Sequence, residues 1–168
     1  MSNPARILGV DPGLRVTGYA VLERRPTGPH VCEAGVIRST SAGKKTTDVA
    51  LRVRDLYDGI AGVMDQYSPQ VMVVETLFAH YDHPRTAILM AHARGAVLLA
   101  GAQRGLQIVN YTAPRIKKTV TGHGRATKEE VQRAVMRELK LPRLPEPNDM
   151  ADALAAALCH HYSVKVPR

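Results

Sequence analysis

An α/β fold is predicted, on three observations. Three β-type runs follow one another between Arg6 and Arg38. Beyond them, helical and strand-like segments alternate. Finally, Val71-Met72-Val73-Val74 is apolar without interruption, the mark of a strand covered on both faces.

Each element follows from its residues. Arg6 to Asp11 is a short apolar strand ended by the turn pair Pro12-Gly13, and Val16 to Leu22 and His30 to Arg38 are the next two. Arg25 to Pro29, with two prolines and a glycine, reads as a hairpin loop, so the three strands form an antiparallel meander. Ser39 to Thr47 is a polar loop. Its Gly43-Lys44 pair resembles half of a phosphate loop, but Arg38 stands where that motif needs glycine. Asp48 to Tyr67 carries Leu51, Val53, Leu56, Ile60, Val63 and Met64 at helical spacing and stops before Pro69. Glu75 ends the apolar run that follows. Pro84 to Arg104 is a second long helix, apolar over most of its circumference, with Ala87, Ala91 and Gly95 every four residues. One face is expected to meet the sheet and the other a second subunit. Leu106 to Asn110 is a strand, and Thr112 to Val120 a brief helix with Pro114 near its first turn. After the turn Gly122-His123-Gly124-Arg125, Thr127 and Glu130 form the capping box of another helix. Pro142, Pro145 and Pro147 stiffen the connection to a final helix, expected to be capped by Asn148 and to run to about Tyr162.

The 168 residues are expected to form one domain over 1–168, with a short flexible tail from about 163. Hydrophobic residues make up 45%, enough for a full core. The 23 Lys+Arg outweigh 15 Asp+Glu, for a formal net charge of +8. That balance suits a polyanionic partner, nucleic acid before an acidic membrane. Cys32 and Cys159 lack Cys-x-x-Cys spacing and read as reduced core thiols. Arg6 interrupts the apolar start that a signal peptide needs, and no apolar run reaches the ~18 residues of a membrane span. A soluble cytoplasmic protein without membrane contact is expected.

Four acids stand out in this basic chain. Asp11 and Glu75 each terminate an apolar strand, and Asp149 and Asp152 lie i and i+3 at the start of the last helix, so they share a face. If the first and fourth strands are neighbours, their ends bring Asp11 and Glu75 together, where sites of open α/β sheets gather. Two carboxylates about 4 Å apart repel by about 4 kcal/mol at an effective dielectric of 20. Protons or cations must offset a cluster of four. Oxygen ligands without His or Cys suit Mg²⁺ or Mn²⁺. Two such ions would activate a water and stabilise the leaving oxygen of a phosphodiester.

These residues carry a resemblance. Asp11-Pro12-Gly13-Leu14-Arg15-Val16-Thr17-Gly18-Tyr19 resembles the opening motif of the RuvC-type Holliday junction resolvases. Val74-Glu75-Thr76-Leu77-Phe78 is similar to their second motif, and Asn148-Asp149-Met150-Ala151-Asp152-Ala153-Leu154-Ala155 to their C-terminal acidic motif. Thr119-Val120-Thr121-Gly122 and Lys128 fall in the basic segment that precedes it. The resemblance implies an RNase H-like fold, a five-stranded mixed sheet with helices on both faces. It implies a homodimeric endonuclease, dependent on Mg²⁺ or Mn²⁺ with two ions per site. Each site would cut one of two like-polarity strands of a four-way DNA junction, leaving 5′-phosphate and 3′-hydroxyl nicks. It further implies work in recombination and repair beside a branch-migration motor complex. The family's catalytic acids carry over to Asp11, Glu75, Asp149 and Asp152, and its functional lysines to Lys117 and Lys128.

Arg115, Lys117, Lys118, Arg125 and Lys128 concentrate positive charge in one segment, and are expected to contact phosphates, which position the DNA. Phe78, the only Phe, follows Glu75 closely; the resemblance implies that it stacks on an unpaired junction base, with Tyr81 as the fallback. The histidines lack ligand spacing, and His123 is the one expected nearest DNA. Two other readings are a catalytically inactive nucleic-acid-binding module and, from Asp11-Pro12-Gly13 through Thr17-Gly18, an actin-like or sugar-kinase phosphate-binding lobe. The second needs two lobes around a nucleotide.

Overall fold

A computed structural model of the chain describes residues 5–39, 48–76 and 84–164. Its strands are β1 (Arg6–Asp11), β2 (Val16–Arg25), β3 (Gly28–Arg38), β4 (Val71–Glu75) and β5 (Gln107–Tyr111). The helices are α1 (Val49–Tyr67), α2 (Pro84–Gln103), α3 (Ala113–Thr121), α4 (Lys128–Glu138) and α5 (Asn148–Ser163). The strands form a five-stranded sheet in the order β3-β2-β1-β4-β5. The meander β1-β2-β3 is antiparallel, whereas β4 runs parallel to β1 and β5 parallel to β4.

Alternation of side chains along each strand splits the core in two. Ile7, Ala20, Leu22 and Val73 face α3, α4 and α5, packing with Ile116, Val131, Leu154 and Leu158. Leu8, Val10, Val21, Met72 and Val74 face α1 and α2, packing with Leu56, Ile60, Ala93 and Val97. The expected α/β architecture, with helices on both faces of a mixed sheet, is the one observed.

Local differences from the sequence reading have physical causes. The hairpin loop between β2 and β3 is only Pro26-Thr27, because Gly28 adopts a positive φ of 113° and lets Arg25 pair with it directly. The strand β5 starts at Gln107 and takes in Tyr111, which registers with Glu75 of β4. Asn148 does not cap α5: Pro147 holds the cap position without a side-chain hydrogen bond, and Asn148 is the first helical residue. The capping box of α4 forms as read, with Glu130 and Thr127 bonding each other's backbone N–H. Asp48 caps α1 by accepting from Ala50 and Leu51, and the helix ends at left-handed Ser68 just before Pro69. In α2 the face turned inward is Ala93, Ala96, Val97, Ala100 and Gly101, not the stripe Ala87-Ala91-Gly95. The loop holding Gly43-Lys44 lies outside the described residues, as do Phe78 and Tyr81.

Two glycines set how the last helix meets the sheet. A Cβ on Gly9 would stand 2.1 Å from the carbonyl oxygen of Ala153 and 2.9 Å from the nitrogen of Ala157. One on Gly18 would stand 1.8 Å from the carbonyl oxygen of Asp149. The backbone of α5 therefore rests directly on β1 and β2, as glycine within a strand permits. Gly62 is the opposite case, exposed on α1 with nothing within 4 Å of an added Cβ. Gly62→Ala is expected to stabilise the fold by about 0.5–1 kcal/mol, read as a higher urea midpoint at unchanged slope.

Candidate active site

The site begins with strand parity. Ile7, Gly9 and Asp11 share one face of β1, as Val71, Val73 and Glu75 share one face of β4, and both sets look toward α5. Val10 registers with Val74 across the parallel β1-β4 pair, so Asp11 and Glu75 follow as neighbours at the same sheet edge. Gly18 pairs with Asp11 in the antiparallel register of β1 and β2. The carbonyl of Asp149 sits over Gly18, which seats the first turn of α5 above Asp11. One further turn brings Asp152 round to the same face. Thr17 secures the intervening turn, since its buried hydroxyl donates to the Gly13 carbonyl at 2.7 Å and accepts from the Gly13 N–H at 3.1 Å.

The four carboxylates thus lie within electrostatic reach of one another. Burial pushes Asp11 up to about 7, reinforced by Asp152, Asp149 and Glu75 and opposed by Lys128. Burial also raises Glu75, with Asp152 adding to the shift and Lys117 opposing it. Asp152 is raised by burial and by Asp149, against Lys128 and Lys117. Among the described residues none of the four acids has a hydrogen-bond or ion-pair partner. Glu23, at the opposite edge of the sheet, shows what a structural acid looks like here. It is largely buried, paired with Arg25 at 2.7 Å and Arg6 at 3.1 Å, and those hydrogen bonds hold its carboxyl below the usual range.

The donor set fits a hard divalent cation, because it consists of carboxylate oxygens with no thiol or imidazole among them. Among the described residues no three acidic, imidazole or thiol groups make a ready-made metal cage. Like charges without a counterion hold apart, and a cation is what would draw them together.

The predicted cations divide into two groups. Lys117 on α3 acts on Glu75 and Asp152, and Lys128 acts on Asp11 and Asp152, so the two lysines flank the acids from separate helices. Lys128 is the first residue of α4, where the helix dipole disfavours a positive charge, so its position serves something other than the helix. Lys118 and Arg125 are exposed. Arg115 is placed elsewhere: its guanidinium lies 4.6 Å over the Tyr111 ring and reaches Ser163, the end of α5 remote from the acids. His123 approaches Glu130 at 3.9 Å. Gly9 was not singled out by sequence reasoning, and Thr17 and Gly18 stood there only within a motif, without a packing role of their own. Glycine inside two otherwise apolar strands is the signal that marks Gly9 and Gly18.

Comparisons with known proteins identify the family. The family model described as crossover junction endodeoxyribonuclease RuvC matches residues 7–160. A relative of that name from Rhodopirellula baltica is 47% identical over 163 residues, covering 96% of this chain and 88% of its own. Another from Methylobacillus flagellatus is 43% identical, covering 94% and 87%. Among solved structures, Thermus thermophilus RuvC in complex with a Holliday junction substrate superposes with a TM-score of 0.84 at 29% identity, over 95% of this chain and 94% of that one. An RNase H-like sheet, four acids gathered at one edge and a family match from the first strand to the last helix converge: this chain belongs to the crossover junction endodeoxyribonuclease (RuvC) family.

Proposed function

We propose that this chain, acting as one nuclease domain, resolves four-way DNA junctions in recombination and repair. It cuts two strands of like polarity and leaves 5′-phosphate and 3′-hydroxyl ends. The observation that carries the proposal is the cluster of four acids at one sheet edge of a chain with net charge +8, three of them (Asp11, Glu75 and Asp152) desolvated and none with a side-chain partner among the described residues. A protein that only bound DNA would gain nothing from that electrostatic cost.

Membership of this nuclease family implies a divalent cation, and our reading is two ions of Mg²⁺ or Mn²⁺ per site. Asp11 and Glu75 would hold them from two strand ends, with Asp149 and Asp152 completing the set from the helix. Such ions activate a water and stabilise the leaving oxygen of an in-line displacement. The chain's own residues orient the substrate around that chemistry. Lys117 and Lys128, already beside the acids, would take the charge of the scissile phosphate. Lys118, Arg125 and Arg115 would hold flanking backbone, and Phe78 would stack on an opened base. Acids seated on strand ends and a packed helix hold their positions better than acids on loops.

A second copy of the chain is the proposed partner of α2. Ile88 and Leu99 are 58% and 53% exposed, and with Ala91, Gly95 and Ala102 they form an outward apolar stripe. Two sites on a homodimer suit paired cuts, and a branch-migration motor is the proposed further partner. Leu99→Asp is expected to turn a dimer into a monomer by light scattering at micromolar concentration. A wild type that already scatters as a monomer would overturn the dimer. No helix among the described residues is long and apolar enough to cross a membrane.

The functional test uses a synthetic four-way junction, the matching duplex and a single strand, each with Mg²⁺ or Mn²⁺ and with a chelator. The expected result is symmetric metal-dependent nicking of the junction alone. Equal cutting of all three substrates would refute the proposal.

A further inference from the structure

We infer that a groove beside the acid cluster, lined by Arg15, Arg52 and Arg85, binds the sugar-phosphate backbone of the strand being cut. The inference rests on the junction-nuclease reading and extends it to residues outside the predicted DNA-binding set. The groove encloses about 660 Å³ between the β1-β2 turn and the first turns of α1 and α2, and it opens onto Asp149. It is therefore continuous with the acids, but lies toward the sheet face that carries α1 and α2.

Its chemistry is that of an anion site with apolar walls. Arg15 comes from the turn, Arg52 from α1 and Arg85 from α2. Three separate elements thus deliver guanidinium groups to one groove. The Nε of Arg52 is buried and has no hydrogen-bond partner among the described residues, so that donor is desolvated and uncommitted. Neither α1 nor α2 carries an acid among the residues of its first turn. Asp48 caps α1, and among the described residues the acid lining the groove is Asp149 of the cluster itself. Leu14, Val16 and Leu89 supply apolar wall between the cations. Guanidinium forks match phosphate oxygens, and apolar wall between them suits a deoxyribose edge. A strand lying here would pass from the arginines to the acids, so the arginines set which phosphate arrives over the cluster. They are positioning residues.

The experiment measures binding of a fluorescently labelled four-way junction by anisotropy, in chelator, across a range of salt. Arg15→Gln and Arg85→Gln change exposed residues, and thermal melts confirm that each variant folds. Each lost phosphate contact is expected to weaken binding about eightfold at 0.1 M salt and to reduce the slope of log affinity against log salt by about 0.9. Arg54→Gln removes a charge from α1, the helix of Arg52, at a position outside the groove, where Arg54 pairs with Asp55 at 3.0 Å. It is expected to leave the slope unchanged. Folded groove variants that keep the wild-type slope would overturn the inference while leaving the nuclease reading intact. A wild type that binds no junction would overturn both.

Discussion

Asp11→Asn is expected to reduce junction cleavage by about 10³-fold while junction binding stays within a few-fold of wild type. In chelator the same substitution is expected to make the protein more stable. Burial and three neighbouring acids push Asp11 up to about 7 from an ordinary 3.8. The folded state then holds that proton more tightly than the unfolded chain does, so wild-type stability falls as pH rises from about 4 to about 7. Three units at 1.36 kcal/mol each amount to about 4 kcal/mol at most. Asparagine carries no proton to lose, so its advantage should grow across that window and level off above pH 7. Urea denaturation of both proteins at pH 5 and pH 8 in chelator reads the difference directly. Saturating Mg²⁺ should erase it by stabilising only the wild type. A variant with no gain at pH 8 would mean that the cluster carries no electrostatic load. One that still cuts would remove Asp11 from the chemistry.

Gly18→Ala is the second large effect, and it acts on the same site through packing. The new Cβ would meet the Asp149 carbonyl at 1.8 Å, backbone against side chain, with no flexible group to move aside. Overpacking of this kind costs about 3 kcal/mol, and in a chain of this size that lowers the melting temperature by roughly 6–12 °C. Relief comes by lifting the first turn of α5, which carries Asp149 and Asp152. A shift of about 1 Å in a catalytic group can cost about 10²-fold in rate. Cleavage measured well below the new melting temperature is therefore expected to fall by about that factor. Full activity in a stable variant would show that α5 does not rest on Gly18.

The fold was legible where burial writes a period into the residues. The unbroken run Val71 to Val74 announced a strand covered on both sides, and Leu56, Ile60 and Met64 announced the inward face of α1. Long helix α2 was legible as a helix but not in its orientation. Small residues lie all round it, so spacing alone did not separate the packed Ala93-Val97-Ala100 face from the outward Ala91-Gly95 one. The acids were legible individually, because charge at the end of an apolar run is conspicuous. Their convergence was conditional on β1 and β4 being neighbours, a fact about strand order that no local pattern contains. The arginine groove was illegible for the same reason, since Arg15, Arg52 and Arg85 have nothing in common until three elements are brought together. The stacking of Arg115 on Tyr111 was illegible too, because a guanidinium over an aromatic ring reads in sequence like any other exposed arginine.

The seat of α5 on Gly9 and Gly18 also dictates an order of events. Two acids reside on strands formed early in the chain, and the other two arrive only when its last helix docks. The contacts of α5 with β1 and β2 span most of the polypeptide, and such high contact-order closures form slowly. A nascent or partly refolded chain can pair β1, β2 and β4 and still lack a complete ligand set. If the four acids form the site as proposed, the nuclease stays silent until α5 has docked, and an incompletely folded molecule has no assembled site with which to nick DNA.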